Sequence, residues 1–303
     1  MVTEFLSPEF PELNEKEVKK LIICPVYNEE KHLAKVLEDI FDEYREDLLI
    51  INDGSTDKTR NIIKEFGIKH IIEHKENLGY GVSLVDGFNY AVENQYNFVI
   101  TIDGDGQHEA KYIKNIFKYL GENDLVFGSR FSTNSLIKTQ IPKKRLEVNK
   151  LFGFLINYYT NFQILDAFCG FRGYRVEILK KLKLSEKGYG FPLEFWIQLY
   201  KHNQHVKIKE LPISLKYLDF ERNFNNEFKS DRDLFYYLIS VLLKNLVNTG
   251  ILKEGKTNGF YKLLYDEIAK SEYEILKDLV NILCIYPKAT GLPKNMKSQI
   301  PNL

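Results

Sequence analysis

The chain has 303 residues, 44% hydrophobic and 28% charged, and its 42 basic and 42 acidic side chains cancel to a formal net charge of +0. Such a composition excludes intrinsic disorder and suits one large α/β domain or two small ones with ample core. With no overall basic excess, the sequence gives no sign of a nucleic-acid partner, and any cationic site must be local.

Residues 1–19 are polar and lack a basic stretch followed by an apolar one, so no signal peptide is expected. "LIICPV" (21–26) is a short apolar run ending near a proline and predicts a buried strand. A helix comes next, because Leu33, Val36, Leu37, Ile40, Phe41 and Tyr44 recur at helix-face spacing. "LLIIND" (48–53) predicts the second strand. "STDKTRNIIKEFG" (55–67) predicts a helix capped by Ser55 or Thr56 and stopped by Gly67. A short strand at 69–74, a helix at 82–94 weakened by Gly87, a strand at 97–103, a helix at 110–121 and a strand at 124–131 continue the alternation. Strand–helix alternation implies a mostly parallel sheet flanked by helices, with ligands bound beyond the carboxyl ends of the strands.

Past residue 131 the alternation weakens. "FSTNSLIKTQIPKKR" (131–145) reads as a polar loop with a basic end, 146–161 as a helix, 168–175 as strand-like, 192–202 as a helix and 206–218 as extended. Residues 230–286 read as two or three helices. The expected organisation is a tail over 1–19, an α/β catalytic domain over 20–229 and a helical extension over 230–303. The most apolar stretch, "LFYYLISVLL" (234–243), is too short to span a bilayer and reads as a packing helix. Cys24, Cys169 and Cys284 are scattered without CxxC spacing, which points to reduced thiols in a cytoplasmic protein.

Chemistry concentrates at the predicted strand ends. "DGDGQH" (103–108) sets two carboxylates one residue apart around Gly104. As a turn it would bond its own backbone. At a ligand edge, two such charges call for a hard divalent cation, with Asp105, Asp103 and the Gln107 amide as oxygen ligands. "NDGSTD" (52–57) has capping chemistry, but Asp53 directly follows its strand and can accept from a ribose or base. In "CPVYNEE" (24–30), Asn28 suits a helix cap, whereas Tyr27 can stack on a base and Glu29 can hold a sugar hydroxyl. The glycines of "ENLGYGVS" (76–83) can admit a close backbone approach to a nucleotide, yet neither GxGxxG after the first strand nor GxxxxGK[ST] is present. Arg130 and Arg222 are candidate diphosphate clamps, with Lys229 a weaker third. Glu194, behind Pro192 at a predicted helix start, is either a helix-dipole charge or a general base facing a pocket with Trp196.

The ordered set "PVYNEE", "NDGSTD", N-x-G-x-G and "DGDGQH" resembles the family 2 glycosyltransferases of GT-A fold. The chain looks most like the group of dolichyl-phosphate mannose synthase and the polyprenyl-phosphate sugar transferases. The resemblance spans roughly 21–131, continues more loosely through "DAFCGFRGYR" and "YGFPLEFW", and fades after about 229. It implies a nucleotide-sugar donor, UDP- or GDP-linked, an inverting transfer and a Mg²⁺ or Mn²⁺ cofactor. By position, Pro25, Tyr27 and Glu29 would line the nucleotide site, and Asp53 would meet base or ribose. Asp103, Gly104 and Asp105 would form the D-x-D motif with Gln107 as a further ligand, and Arg130 and Arg222 would meet phosphates.

The acceptor would be a sugar, a glycan or a polyprenyl phosphate. Glu194 is the candidate base for a hydroxyl acceptor, and Asp166 a weaker candidate on the same side. Transmembrane helices and the Q-x-x-R-W motif are missing, which favours one sugar per turnover by a cytoplasmic protein, with peripheral contact to a membrane left open. The rivals are a non-catalytic sugar-nucleotide-binding protein and a nucleotidyltransferase. The latter expects a glycine-rich basic loop where "CPVYNEE" is acidic.

Overall fold

The computed structural model describes residues 18–45, 47–132, 143–214, 228, 230–253 and 257–268. Seven strands form one sheet in the order β3-β2-β1-β4-β6-β5-β7. They are β1 (Lys20–Val26), β2 (Asp47–Asn52), β3 (His70–Glu73), β4 (Phe98–Thr101), β5 (Leu125–Ser129), β6 (Arg172–Arg175) and β7 (Ile208–Pro212). The first four run parallel, as the strand–helix alternation predicts. β6 runs antiparallel between β4 and β5, pairing Thr101 with Arg172. That reversal delivers the 166–171 turn to the carboxyl end of β4, and the Thr101 hydroxyl ties it there by donating to the Gly170 carbonyl at 2.7 Å.

Both sheet faces are covered, so the central strands are apolar throughout rather than alternating. On one face Ile22, Cys24 and Ile50 pack with Leu33, Val36, Leu37 and Ile40 of α1 (Leu33–Glu43) and with Ile113, Ile116 and Leu120 of α4 (Ile113–Leu120). On the other, Leu21, Ile23, Leu49 and Ile51 meet Leu84, Phe88 and Ala91 of α3 (Tyr80–Glu93). The same cluster takes in α5 (Lys143–Thr160) and α7 (Phe191–His202), together with Leu238 and Leu242 of α8 (Asp231–Asn248) and Phe260 and Leu264 of α9 (Thr257–Ile268). Short α2 (Thr59–Glu65) and α6 (Val176–Leu179) complete the set. No helix among the described residues is long and apolar enough to cross a membrane.

Several local expectations change. Gly87, read as a helix weak spot, is where α3 closes on the sheet: a Cβ there would lie 2.8 Å from Ile23 and 2.9 Å from Ile51. α2 starts at Thr59 rather than after Ser55 or Thr56, with the Asp57 carboxylate accepting from the Thr59 amide at 2.9 Å. Gly67 does end that helix, with φ +62°. Trp196, expected in a pocket, is fully buried core. Cys24 and Cys169 are buried free thiols, and burial foremost pushes the Cys169 thiol up to about 12.

Candidate active site

The segments after β1, β2, β4 and β5 meet at one edge of the sheet, where ligands collect in parallel α/β folds. A cleft of about 240 Å³ opens there, and Pro25, Tyr27, Glu29, Asp53, Asp103, Gly104, Asp105, Gln107 and Arg130 all line it. Tyr80, His108, Arg145 and Tyr189 line it too.

The first two segments are stitched together. Asn28, at φ 55°, does not cap α1, whose N-cap is His32. Its side-chain oxygen accepts from the Thr56 amide at 2.8 Å, while its own amide donates to the Ser55 hydroxyl at 3.0 Å. Two residues further along, the Glu30 amide donates to Asp57 at 3.0 Å and the Lys58 amide to Glu30 at 3.1 Å. The polar residues that looked like helix caps therefore hold one loop against the other. Tyr27 is left 41% exposed at the rim.

Asp53 is buried and heavily engaged. It accepts from the amides of Leu78 and Gly79 at 2.8 and 2.9 Å and faces His74 Nδ1 at 2.7 Å. The far nitrogen of His74 lies 3.0 Å from Asp86. Asp53 thus anchors the "ENLGYG" segment while still lining the cleft. The glycines of that segment make a close backbone approach, but to this chain. A Cβ at Gly81 would lie 1.9 Å from the Glu186 carbonyl oxygen, and the Gly81 amide donates to the Lys187 carbonyl at 2.7 Å.

In "DGDGQH" both the turn chemistry and the open edge are present. Asp105 accepts from the Gln107 amide at 3.0 Å and from its carboxamide nitrogen at 2.7 Å, around Gly106 at φ +73°. Asp103 accepts from the Tyr80 hydroxyl at 3.1 Å and lies 3.5 Å from His108 Nε2. Burial opposes its charge, but His108, Tyr80 and the Arg130 charge outweigh it and hold the carboxyl below its ordinary value. The opposing turn crowds in, since a Cβ at Gly170 would be 2.5 Å from Asp103 Oδ2.

Among the described residues, no three His, Cys, Asp or Glu side chains converge as a ready-made metal cage. The donors present still fit a hard dication. Asp103 and Asp105 are one residue apart and line the same cleft, and the carboxamide now against Asp105 carries an oxygen that a half-turn presents instead of its nitrogen. An ion of the Mg²⁺ or Mn²⁺ type takes its remaining ligands from water and substrate phosphate.

Arg130 is gripped by Asp166. Its Nε and Nη2 each lie 2.6 Å from a different carboxylate oxygen, and its amide donates at 3.0 Å. Asp166, expected on the acceptor side, is 0% exposed and absent from the cleft lining, and its carboxylate is taken up by Arg130. Glu210 of β7 accepts from the Asp166 and Leu165 amides at 3.0 Å each. Burial first, then the Asp166 charge, raises its carboxyl above the ordinary value despite those bonds.

Glu194 also departs from expectation. It is 3% exposed and does not line the cleft. Its oxygens accept from the amides of Ser185 and Glu186 at 2.7 Å each and from the Ser185 hydroxyl at 2.9 Å. A carboxylate so committed holds the 185–188 segment. Arg222 and Lys229 lie outside the described residues.

Sequence reasoning passed over Tyr80, Tyr189 and Arg145. Tyr80 carried a signal, an aromatic between two glycines after the third strand. Arg145 stood only as the end of a basic run, and Tyr189 only as part of a resembling stretch.

The seven-stranded, mostly parallel sheet, with the Asp103–Asp105 turn and the braced Arg130 at one edge, has the GT-A fold. Residues 21–183 match the family model described as "Glycosyl transferase family 2", and the chain belongs to that family. It is similar to a polyprenol monophosphomannose synthase of Mycolicibacterium smegmatis, at 26% identity over 65% of this chain and 77% of that protein. It is similar as well to a UDP-N-acetylglucosamine–dolichyl-phosphate N-acetylglucosaminyltransferase of Methanococcus voltae, at 25% identity over 75% of this chain and 97% of that one. Among solved structures, it shares its fold with glucosyl-3-phosphoglycerate synthase from Mycobacterium tuberculosis in complex with Mn²⁺, UDP-glucose and phosphoglyceric acid. There the TM-score is 0.61 at 16% identity, covering 79% of this chain and 83% of that one.

Proposed function

We propose that this glycosyltransferase moves one sugar per turnover from a UDP- or GDP-sugar to the phosphate of a polyprenyl phosphate, with inversion at the anomeric carbon and Mg²⁺ or Mn²⁺ as cofactor. The observation that carries the reading is a single cleft lined by Asp103 and Asp105 together with Arg130 and Arg145. A sugar diphosphate needs cations around it, and two adjacent carboxylates need a dication between themselves and that diphosphate.

In the transfer, the bond from the anomeric carbon to the β-phosphate oxygen breaks as a bond to the acceptor oxygen forms on the opposite face. The departing nucleoside diphosphate gains negative charge and the sugar becomes oxocarbenium-like. A bound dication supplies Lewis-acid stabilisation of that charge. The chain's own share falls to Arg130, whose guanidinium is already oriented by Asp166 and so needs little reorganisation on meeting phosphate oxygens. Asp103 and Asp105, with Gln107, would hold the ion, and Pro25, Tyr27, Glu29 and Asp53 would border the nucleoside.

An acceptor phosphate oxygen is already anionic, so no proton has to be removed. That suits a site in which Glu194 and Asp166 are both spoken for by backbone amides and by Arg130. The names of the relatives, acting on polyprenol and dolichyl phosphates, support the same acceptor class and, with it, peripheral work on the cytoplasmic face of a membrane.

The test is transfer from UDP- and GDP-sugars to a short-chain polyprenyl phosphate, with Mn²⁺ or EDTA, read as nucleoside diphosphate released and glycolipid formed. Metal-dependent release matched by glycolipid is expected. Release with neither metal nor acceptor dependence would overturn the reading.

A further inference from the structure

The family match ends at residue 183, yet one wall of the cleft is built by residues beyond that point. Tyr189 lines the cleft and lies nearly parallel to Tyr80, with ring centroids 6.3 Å apart and planes 17° from parallel. Tyr80 in turn donates to Asp103 at 3.1 Å.

Tyr189 sits on a segment held from both ends. From below, Glu194 takes the Ser185 and Glu186 amides. From above, Tyr237 of α8 does the rest. Its hydroxyl donates to the Glu186 carboxylate and accepts from the Gly190 amide at 3.0 Å. The same Glu186 carboxylate accepts from the Gly188 amide at 3.1 Å. Two glycines admit the clamp, because a Cβ at Gly188 would be 2.8 Å from the Tyr237 oxygen and one at Gly190 would be 2.9 Å from Val241. The segment reaches α3 as well, through the Lys187 carbonyl and the Gly81 amide at 2.7 Å.

We infer that Tyr237 of helix α8 is a positioning residue for the transfer: through Glu186 and Gly190 it fixes Tyr189 against Tyr80, and so sets the Asp103 carboxylate. This rests on the proposed transfer only for its kinetic consequence. The clamp itself is a property of the chain. A hydroxyl that donates to Glu186 and accepts from Gly190 ties two points of a short segment to one helix. A misplaced wall group slows chemistry without unseating a donor held elsewhere.

The experiment uses the full chain with Tyr237→Phe, Tyr189→Leu and the double variant. Tyr237→Phe keeps the ring packed on Phe228, at 5.0 Å between centroids, and removes only the hydroxyl. Turnover is expected to fall about tenfold in each single variant, with the nucleoside diphosphate Kd in Mn²⁺ within about twofold of the parent. The double variant should be no slower than Tyr189→Leu alone, because both changes act through one ring. Full turnover in Tyr237→Phe, or multiplied losses in the double variant, would overturn the inference. Hydrogen exchange gives a readout independent of activity: in Tyr237→Phe, peptides covering 79–82 and 185–191 should exchange faster, while β1 and β4 do not change. Unchanged exchange in those peptides also overturns it. An inactive parent chain with faster exchange in the variant would instead count against the proposed reaction alone.

Discussion

The guanidinium of Arg130 and the carboxylate of Asp166 form a two-point pair, 2.6 Å at each contact, with the carboxylate fully buried and the arginine at the cleft. Removing the charge from a buried partner leaves the other uncompensated, which is costly by roughly 3–5 kcal/mol. Asp166→Asn is therefore expected to lower the urea midpoint and to cut kcat by about 10²-fold, since Arg130 loses its fixed orientation. Wild-type kcat in a folded Asp166→Asn variant would refute the bracing role.

Asp105→Ala should abolish transfer and the Mn²⁺-dependent part of nucleoside diphosphate binding, leaving far-UV circular dichroism intact. The checking measurement is a thermal-shift screen of UDP, GDP and dTDP with and without Mn²⁺, because a ligand that binds the native state raises its melting temperature by mass action. A metal-dependent shift that survives the substitution would remove Asp105 from the ion site.

Glu194→Gln is expected to act on stability rather than on proton transfer. The Ser185 and Glu186 amides share one Glu194 oxygen and the Ser185 hydroxyl meets the other, so a carboxamide keeps neutral bonds to the amides and turns its NH2 toward the hydroxyl, at about 1 kcal/mol. The pH–rate profile should keep its shape. A lost acid limb in the variant would restore Glu194 as a general base.

Two glycine substitutions should move stability in opposite directions. Gly81→Ala forces a methyl to within 1.9 Å of a backbone oxygen and should destabilise by about 1–3 kcal/mol. Gly153→Ala, inside α5, meets nothing nearer than 3.9 Å and should stabilise by about 0.5–1 kcal/mol through helix propensity. Denaturant midpoints of the pair check the close packing of α3 on the 186–187 backbone.

Asp57 supplies a pH prediction. Burial raises its carboxyl, but the bonds from Thr59 and Glu30 outweigh it and leave the folded value below the ordinary 3.8. Its stabilising share is thus present above 3.8 and disappears as pH falls through the folded value. Asp57→Asn should cost about 1 kcal/mol at neutral pH and progressively less on the acid side. A penalty that stays constant with pH would contradict the sign.

Much of the cleft was legible from residue order. "PVYNEE", "NDGSTD" and "DGDGQH" each come after an apolar run, so they had to fall at strand ends, and parallel strands bring such ends to one edge. Pro25, Tyr27, Glu29, Asp53, Asp103, Asp105, Gln107 and Arg130 do line one cleft for that reason. The buried acids behind the cleft were not legible as such. Asp166 and Glu194 look on paper like free acids near aromatic residues, and nothing local reveals that one is paired with Arg130, 36 residues away, or that the other holds the segment before its own helix. Asn28, Ser55 and Asp57 had the chemistry of helix caps, but the same oxygens bind amides of a neighbouring loop equally well.

What the sequence alone determined was the family, the GT-A sheet and the identity of the acids and amides at its ligand edge, because periodicity and short motifs are local properties of a chain. Only the tertiary structure decided which charged groups stay available for a ligand and which are consumed in holding the site. It alone joined Tyr237 to Glu186 across 51 residues. The physical reason is that a side chain's role depends on who satisfies its hydrogen bonds, and a buried polar group takes its partners from whatever the fold packs beside it, however distant in sequence.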